Sequence, residues 1–394
     1  MNNSAKPSAS REKRLLALCA RTRVTPEIAE EIRGLTEGSI DWDYLLSEAA
    51  ENSVMPLLDA QFRTAAADRV PLEHRERLTA ANRANTVRSL FLTAELTKIL
   101  EVFRSEDIQA TPYKGPVLAA QAYGDVTRRE FEDLDVVLRQ RDMPRAHRAM
   151  LELGYRPKFD WILSAHAAAS LVPGEYNYRD QERRVMVELH TEITLRHFPV
   201  IPDLQELSRN RVPVMLGGYE VLTFSAEDGL PILCIHGSKD FWERLSWIAD
   251  ISELIQACPA LDWDAAFRRA ESLHAERMLH VGLALANRVL SAPLPEVIAK
   301  RVGADHIAMA VASEVSARIL SRDLPVLDAA GRFHFRRRML TSASAGWRYA
   351  IRLAVVPAEE DWLMVRLPPA LAPLYLVLRP LRLLRKYGWP NRST

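Results

Sequence analysis

Two aspartates that flank one leucine, Asp133 and Asp135, have the residue type and spacing for metal chemistry. Val136, Val137 and Leu138 follow at once, and such a run predicts a β-strand rather than a helix. Residues two apart on a strand point to the same side, about 7 Å from each other, so the carboxylates should project together. Like charges on a largely apolar strand repel each other, and a divalent cation between them would relieve this repulsion. Mg²⁺ suits the site because it binds a few carboxylate oxygens and leaves its other positions to water and phosphate. The alternative is a solvent-exposed strand edge with two unrelated acids.

A Lys-Gly turn at Lys114 and Gly115 lies between a predicted strand (108–113) and a predicted helix (116–123). Glycine lets the backbone approach a ligand closely where a larger residue would block it. The N-terminus of the following helix can face an anion, and Lys114 can add a point charge on phosphate. The alternative is that Gly115 only makes the turn from strand to helix.

Arg129 precedes the acid-bearing strand, with three residues between it and Asp133. An arginine in this position could hold a phosphate through two parallel hydrogen bonds. The alternatives are an ordinary surface arginine, or an ion pair with Glu130 or Glu132.

A further strand is predicted at 184–190, where apolar residues alternate with Glu188 and His190. These two side chains should therefore share one face, and Glu188 is the candidate for a third carboxylate. His190 could act as a base, a proton carrier or a phosphate contact. A structural histidine bonded to the sheet backbone is the alternative.

Taken in order, these motifs resemble the uncharacterised bacterial nucleotidyltransferase family of the DNA polymerase β-like superfamily. The shared features are the Lys-Gly turn, the arginine before Asp-x-Asp, and a later acid-x-His on a strand. The resemblance covers about residues 108–190, and 227–254 more loosely. It implies an α/β (α+β) fold with a small mixed-sheet nucleotidyltransferase core between N-terminal and C-terminal helical domains.

The resemblance also implies a reaction, in which an acceptor hydroxyl attacks the α-phosphate of an NTP and pyrophosphate leaves. Asp133 and Asp135 would hold Mg²⁺, and Glu188 would activate the acceptor or complete a second metal site. The family commonly has Asp where this chain has Glu188, and the longer side chain moves the carboxylate outward. The residues expected to position the phosphates are Lys114, Gly115 and Arg129.

A second candidate binding region lies on a predicted helix that Ser225 caps and that continues to Lys239. His236 and Lys239 are three residues apart and share one helix face, so they are candidate nucleotide or acceptor contacts. Together with Arg244 and Asp250, they resemble positions of the family's helical domain. A surface charge cluster is the alternative.

Composition excludes several other classes of protein. The 394 residues are 48% hydrophobic and 26% charged, which is typical of a globular chain, and the net charge is +1. A long nucleic acid is therefore not expected as partner, since its phosphates would favour a basic excess. The three cysteines are far apart, which indicates a reducing compartment without a zinc site or disulfide framework. With no signal peptide and no spanning segment expected, a cytoplasmic location is predicted.

Domain boundaries follow from changes in pattern along the chain. The predicted regions are a disordered start (1–10), an N-terminal helical region (11–104), the nucleotidyltransferase core (105–224), a helical domain (225–330) and a basic, apolar C-terminal helical tail (331–394).

The C-terminal tail combines an apolar stretch with a basic stripe between residues 362 and 388. Prolines at 368, 369, 373 and 380 argue against a long continuous helix. We expect the tail to pack on the helical body or on a partner, and peripheral contact with a membrane surface is the alternative.

Two rival functions remain open from the sequence. The same acids and metal could serve the transfer of another group, such as a sugar, from a nucleotide donor. A non-catalytic nucleotide-binding regulatory protein could keep the fold and a weak site. The acceptor is unknown, and near-neutral charge favours a small molecule, a sugar or a peptide over nucleic acid.

Overall fold

The computed structural model describes residues 10–158, 174–180, 182–193, 207, 209–322, 327–365 and 367–387. Most of the predicted disordered start lies outside these residues. Residues 170–172, whose sequence predicts a strand, and Pro199 and Pro202, which the sequence predicts to lie in a linker, also lie outside them. The predicted fold class is confirmed, because the described residues combine many helices with a small mixed sheet.

The chain divides into two compact units, each built from three separate stretches. One unit contains Met1–Thr97, Tyr113–Glu132 and Asn210–Met339, and the other contains Lys98–Pro112, Asp133–Arg209 and Leu340–Thr394. The domain boundaries drawn from the sequence are continuous stretches and stay a prediction.

Helices form most of the described chain. Before the sheet is complete they are α1 (Arg11–Cys19), α2 (Pro26–Thr36), α3 (Trp42–Glu51), α4 (Met55–Ala65), α5 (Leu72–Ser105), α6 (Gly115–Leu118) and α7 (Met143–Glu152). After it they are α8 (Ala226–Lys239), α9 (Leu245–Ala257), α10 (Trp263–Ser272), α11 (Glu276–Leu290), α12 (Glu296–Gly303), α13 (His306–Leu320), α14 (Ala329–Arg338), α15 (Ala343–Val355), α16 (Glu359–Met364) and α17 (Tyr375–Tyr387). Short 3₁₀ turns cover Val126–Arg128, Gln140–Asp142 and Pro369–Leu374, and a π-helix covers Ala119–Tyr123.

The strands form one five-stranded sheet and one separate hairpin. They are β1 (Ala110–Pro112), β2 (Asp133–Leu138), β3 (Arg156–Pro157), β4 (Glu175–Asp180), β5 (Val185–His190), β6 (Arg211–Leu216) and β7 (Tyr219–Phe224). The sheet has the order β1-β2-β5-β4-β3, in which β2 and β5 are parallel and the other neighbours are antiparallel.

The period of two along β2 and β5 separates an apolar face from a polar one. Val136 on β2 and both Val187 and Leu189 on β5 are fully buried. The intervening positions on β5 are Glu188 and His190, which therefore lie on the opposite face. Burial of the aliphatic face fixes the register, because a slip by one residue would turn the acids into the core.

In the sequence, the Gly-Gly pair between two runs of strand-forming residues predicts a hairpin turn, and the structure confirms it. Gly217 and Gly218 have φ angles of 56° and 91° between the antiparallel strands β6 and β7. Two consecutive positive φ values are what a tight two-residue hairpin turn requires, and glycine adopts them without strain. Ser225 then caps α8 by accepting a hydrogen bond from the N–H of Asp228 at 3.3 Å.

The sequence pattern predicts a further helix over 242–258, but the helix begins three residues later, at Leu245, so the predicted boundary is wrong. Phe241 and Trp242 have φ angles of 61° and 54°, which a right-handed helix excludes. Trp242 is fully buried beside α8, where a Cβ on Gly237 would lie 2.5 Å from its ring. The burial of this large ring stabilises the unusual backbone turn ahead of α9. Across the described residues, no helix has both the length and the apolar character to cross a membrane.

Candidate metal centre and nucleotide-binding residues

The parallel pairing of β2 with β5 brings two predicted acids side by side. Asp135 is opposite Glu188 in the register, and Val137 is opposite His190. One ligand atom from each of Asp135, Glu188 and His190 lies within 4.8 Å of the other two. The two carboxylates and the imidazole could therefore hold one metal ion.

His190 lies between the two carboxylates. Its Nε2 donates to Asp135 Oδ1 at 3.0 Å and lies 3.5 Å from Glu188 Oε2. Burial lowers the pKa of His190, but the hydrogen bonds to Asp135 and Glu188 outweigh burial and raise the pKa to about 9. Without a metal ion, an imidazolium thus neutralises part of the negative charge of this polar face.

Sequence reasoning missed a fourth polar residue of this face, Glu175. Strand β4 runs antiparallel to β5, and its register sets Glu175 opposite His190 and Asn177 opposite Glu188. Asn177 Nδ2 donates to Glu175 Oε1 at 3.1 Å, and the charge of Glu175 adds to the raised pKa of His190. The alternation of Glu175 and Asn177 with two buried tyrosines indicates from the sequence that the two polar residues share one face of a strand. It does not show that this strand pairs with β5, which only the register reveals.

Asp133 begins β2 on the same side of the strand as Asp135 and is half-buried. Its partner in the register is Met186 rather than an acid. Among the described residues, the group with metal-binding spacing contains Asp135 but not Asp133. The role of Asp133 as a metal ligand stays a prediction.

Lys114 and Gly115 belong to the other compact unit. Gly115 has a φ of +52°, a left-handed conformation that favours glycine and explains the residue type at this turn. Lys114 Nζ lies 4.9 Å from the centre of the Tyr113 ring. The helix that follows has four α-helical residues and continues as the π-helix, so the predicted helix over 116–123 is confirmed. The phosphate-binding roles of Lys114 and Gly115 stay predictions.

Arg129 forms a buried ion pair that the sequence analysis did not foresee. Its Nε and Nη2 donate to the two oxygens of Asp250 on α9, at 2.7 and 2.9 Å. Tyr123 donates to the same carboxylate at 2.8 Å, and burial followed by the nearby Asp250 charge raises the pKa of Tyr123. The sequence offers Glu130 or Glu132 as an ion-pair partner of Arg129, but the carboxylate found beside Arg129 belongs to Asp250, 121 residues away. A phosphate contact by Arg129 stays a prediction, and Asp250 would then orient its guanidinium.

His236 and Lys239 lie near the C-terminal end of α8 and share one acidic neighbour. The carboxylate of Asp240 is 3.5 Å from His236 Nδ1 and 3.6 Å from Lys239 Nζ. The ring of His236 meets the edge of Trp247, with 5.1 Å between the ring centres. This arrangement brings both predicted residues into one cluster, and their contact with a nucleotide or an acceptor stays a prediction.

Comparison with known proteins gives one broad match. The family model described as "Uncharacterised nucleotidyltransferase" matches residues 38–291. No curated protein matches the chain.

Two solved structures are similar at low identity. The antibiotic-resistance factor ANT(2″)-Ia is 15% identical, over 46% of this chain and 90% of that chain, with a TM-score of 0.32. An antigenic nucleotidyltransferase-like protein from Paracoccidioides brasiliensis is 17% identical, over 53% of this chain and 93% of that chain, with a TM-score of 0.30.

Proposed function

Because the chain belongs to the family of uncharacterised nucleotidyltransferases, we propose that it transfers a nucleoside monophosphate from an NTP to an acceptor hydroxyl, with Mg²⁺ as cofactor. Family membership identifies the chain as a nucleotidyltransferase enzyme, which leaves the non-catalytic alternative without support. The proposal concerns the metal, the acceptor and the roles of individual residues.

The observation that carries the proposal is the meeting of Asp135, Glu188 and His190 on neighbouring strands. Two carboxylates on one polar sheet face, one of them almost fully buried, are costly unless a cation compensates them. His190 provides that compensation when no metal is bound, since its raised pKa keeps it charged. A divalent cation would replace this proton with a larger positive charge.

The donor set decides which ion fits. Carboxylate oxygens from Asp135 and Glu188 suit Mg²⁺, and Asp133 would add a third oxygen ligand from the same side of β2. An imidazole nitrogen suits Zn²⁺ or Fe²⁺ better than Mg²⁺. We therefore propose that His190 is a neighbour of the magnesium site rather than a ligand, and that it releases its contact with Asp135 when the ion binds.

In the proposed reaction, the acceptor oxygen bonds to the α-phosphorus and the bond to the β-phosphate oxygen breaks. Pyrophosphate leaves with the electron pair, and the acceptor proton passes to Glu188. The metal ion would neutralise charge on the transferred phosphoryl group. The residues proposed to contact the nucleotide or the acceptor are Lys114, Gly115, Arg129, His190, His236 and Lys239. Their roles rest on the family pattern.

The test is Mg²⁺-dependent release of pyrophosphate from each NTP in the presence of a cell extract. Asp135→Asn and Glu188→Gln should each abolish the release, whereas Glu182→Gln, which alters an exposed acid just before β5, should not. Asp133→Asn tests whether the third oxygen ligand is needed. Full activity in both the Asp135 and Glu188 variants would discard the mechanism.

Mass analysis of the modified acceptor completes the assignment. An added nucleoside monophosphate supports the proposal, whereas an added sugar would establish the rival transfer of another group. We propose a small molecule, a sugar or a peptide as acceptor rather than a long nucleic acid, because the net charge is only +1. The cytoplasmic location stays a prediction.

A further inference from the structure

Helix α17 is amphipathic, and two of its arginines are turned inward. Tyr375, Arg379 and Arg382 recur at helical spacing on one side, and Tyr375 and Arg379 are only 2% and 5% exposed. Arg379 Nε donates to the carbonyl of Leu353 at 2.9 Å, and its Nη1 donates to Asp361 at 2.8 Å. Arg382 Nε donates to the other oxygen of Asp361 at 2.5 Å. The buried Asp361 of α16 therefore fixes the orientation of α17.

The opposite face of α17 is apolar and open to solvent. Val377, Leu381 and Leu384 follow the spacing of one helix face, and they are 60%, 57% and 64% exposed. Helix α15, which packs against α17, leaves Trp347 and Ile351 exposed by 73% and 59%. A group of large exposed apolar side chains indicates a surface that binds a protein partner or a membrane.

The charge of this C-terminal segment distinguishes between a second copy of the chain and a membrane surface. From Leu340 to Thr394 the sequence has eight Arg and Lys against three Asp and Glu, a net charge of +5 in a chain of net charge +1. Arg348 and Arg385 are exposed on the same two helices as the apolar residues. A second copy of this chain would oppose one basic segment to another, which costs electrostatic energy in a symmetric dimer.

We propose that α15 and α17 bind to the surface of an anionic lipid bilayer. Val377, Leu381 and Leu384 would enter the boundary between headgroups and acyl chains, and Trp347 would lie at headgroup depth. Arg348 and Arg385 would contact the lipid phosphates. The sequence predicts that the tail packs on the helical body or on a partner, but the exposed apolar face and the basic charge of the tail favour a membrane surface.

The experiment is flotation of the full chain with two kinds of vesicle, phosphatidylcholine alone and phosphatidylcholine with phosphatidylglycerol in equal parts. We expect binding to the anionic vesicles to exceed binding to the neutral ones on the order of tenfold at low salt, and to fall at high salt. Leu381→Gln and Leu384→Gln should each weaken the anionic binding on the order of tenfold, because each removes one inserted apolar side chain.

Val297→Gln is the matched control, since Val297 is an apolar residue of α12 that is 75% exposed. It should bind the vesicles as the unaltered chain does. Absence of binding to anionic vesicles, or equal binding to neutral ones, would overturn the proposal. A dimer seen by light scattering that the Leu381 and Leu384 variants dissociate, in a chain that does not bind vesicles, would assign the surface to a second copy instead.

Discussion

The buried pair of Arg129 and Asp250 gives the sharpest prediction of stability. The guanidinium and the carboxylate are 10% and 2% exposed and are joined by two hydrogen bonds. Removal of one partner leaves the other charge buried without compensation, which costs about 3–5 kcal/mol. We expect Asp250→Asn and Arg129→Met each to lower the free energy of unfolding by about this amount.

The double variant Arg129→Met/Asp250→Leu removes both the attraction between the two charges and the cost of burying them. Replacing both charges with apolar groups of similar size is often neutral, so the double variant should be more stable than either single one. Tyr123→Phe removes one hydrogen bond to the charged carboxylate and should cost about 1.5–3 kcal/mol.

Urea unfolding followed by tryptophan fluorescence measures these changes through the midpoint and the slope. Arg129→Lys is a useful comparison, because lysine keeps the charge but cannot make the bidentate contact. If Asp250→Asn costs less than about 1 kcal/mol, or if the two single costs simply add in the double variant, the reasoning fails.

Three further predictions concern single positions. Burial raises the pKa of Glu130 from 4.5 to about 7, and Glu130 accepts a hydrogen bond from the N–H of Met55 at 3.2 Å. The ionised form is disfavoured in the folded chain, so this contribution to stability is present below pH 4.5 and lost as the pH rises through about 7. Glu130→Gln should therefore leave stability unchanged at low pH and raise it above pH 7 by up to about 3 kcal/mol in urea titrations; a pH-independent difference would contradict this. Gly282→Ala should cost about 1–3 kcal/mol because its Cβ would collide with the sulfur of Cys234, whereas Gly34→Ala in α2 meets nothing within 4 Å and should be neutral or stabilising in thermal unfolding. Gly115→Ala should cost about 1–2 kcal/mol from its φ of +52°, and an unchanged melting temperature would argue against the left-handed turn.

The local part of the site was predictable from the sequence. The alternation along β5 sets Glu188 and His190 on one face, and the same rule applies to the two aspartates of β2. The Gly-Gly hairpin and the Ser225 cap were likewise predictable, because each depends on a few neighbouring residues.

The long-range part was not predictable. Periodicity shows which face a side chain occupies, but it does not show that β2 and β5 are parallel neighbours, with Asp135 opposite Glu188. The glutamates nearest to Arg129 in the sequence are its expected partners, whereas the structure joins it to Asp250 on α9. Register and helix packing depend on the burial of the whole unit, which no local pattern contains.

The parallel pairing of β2 with β5 has a consequence for the newly made chain. Asp135 on β2 and Glu188 on β5 are joined by a long stretch of chain, so the ribosome must release β5 before the ion can find both carboxylates. Closing such a loop delays this contact relative to the helices, which form locally. A divalent ion would then bind only after β2 and β5 have paired. At an ion concentration of a hundred times the dissociation constant, binding would stabilise the folded unit by about 2.7 kcal/mol.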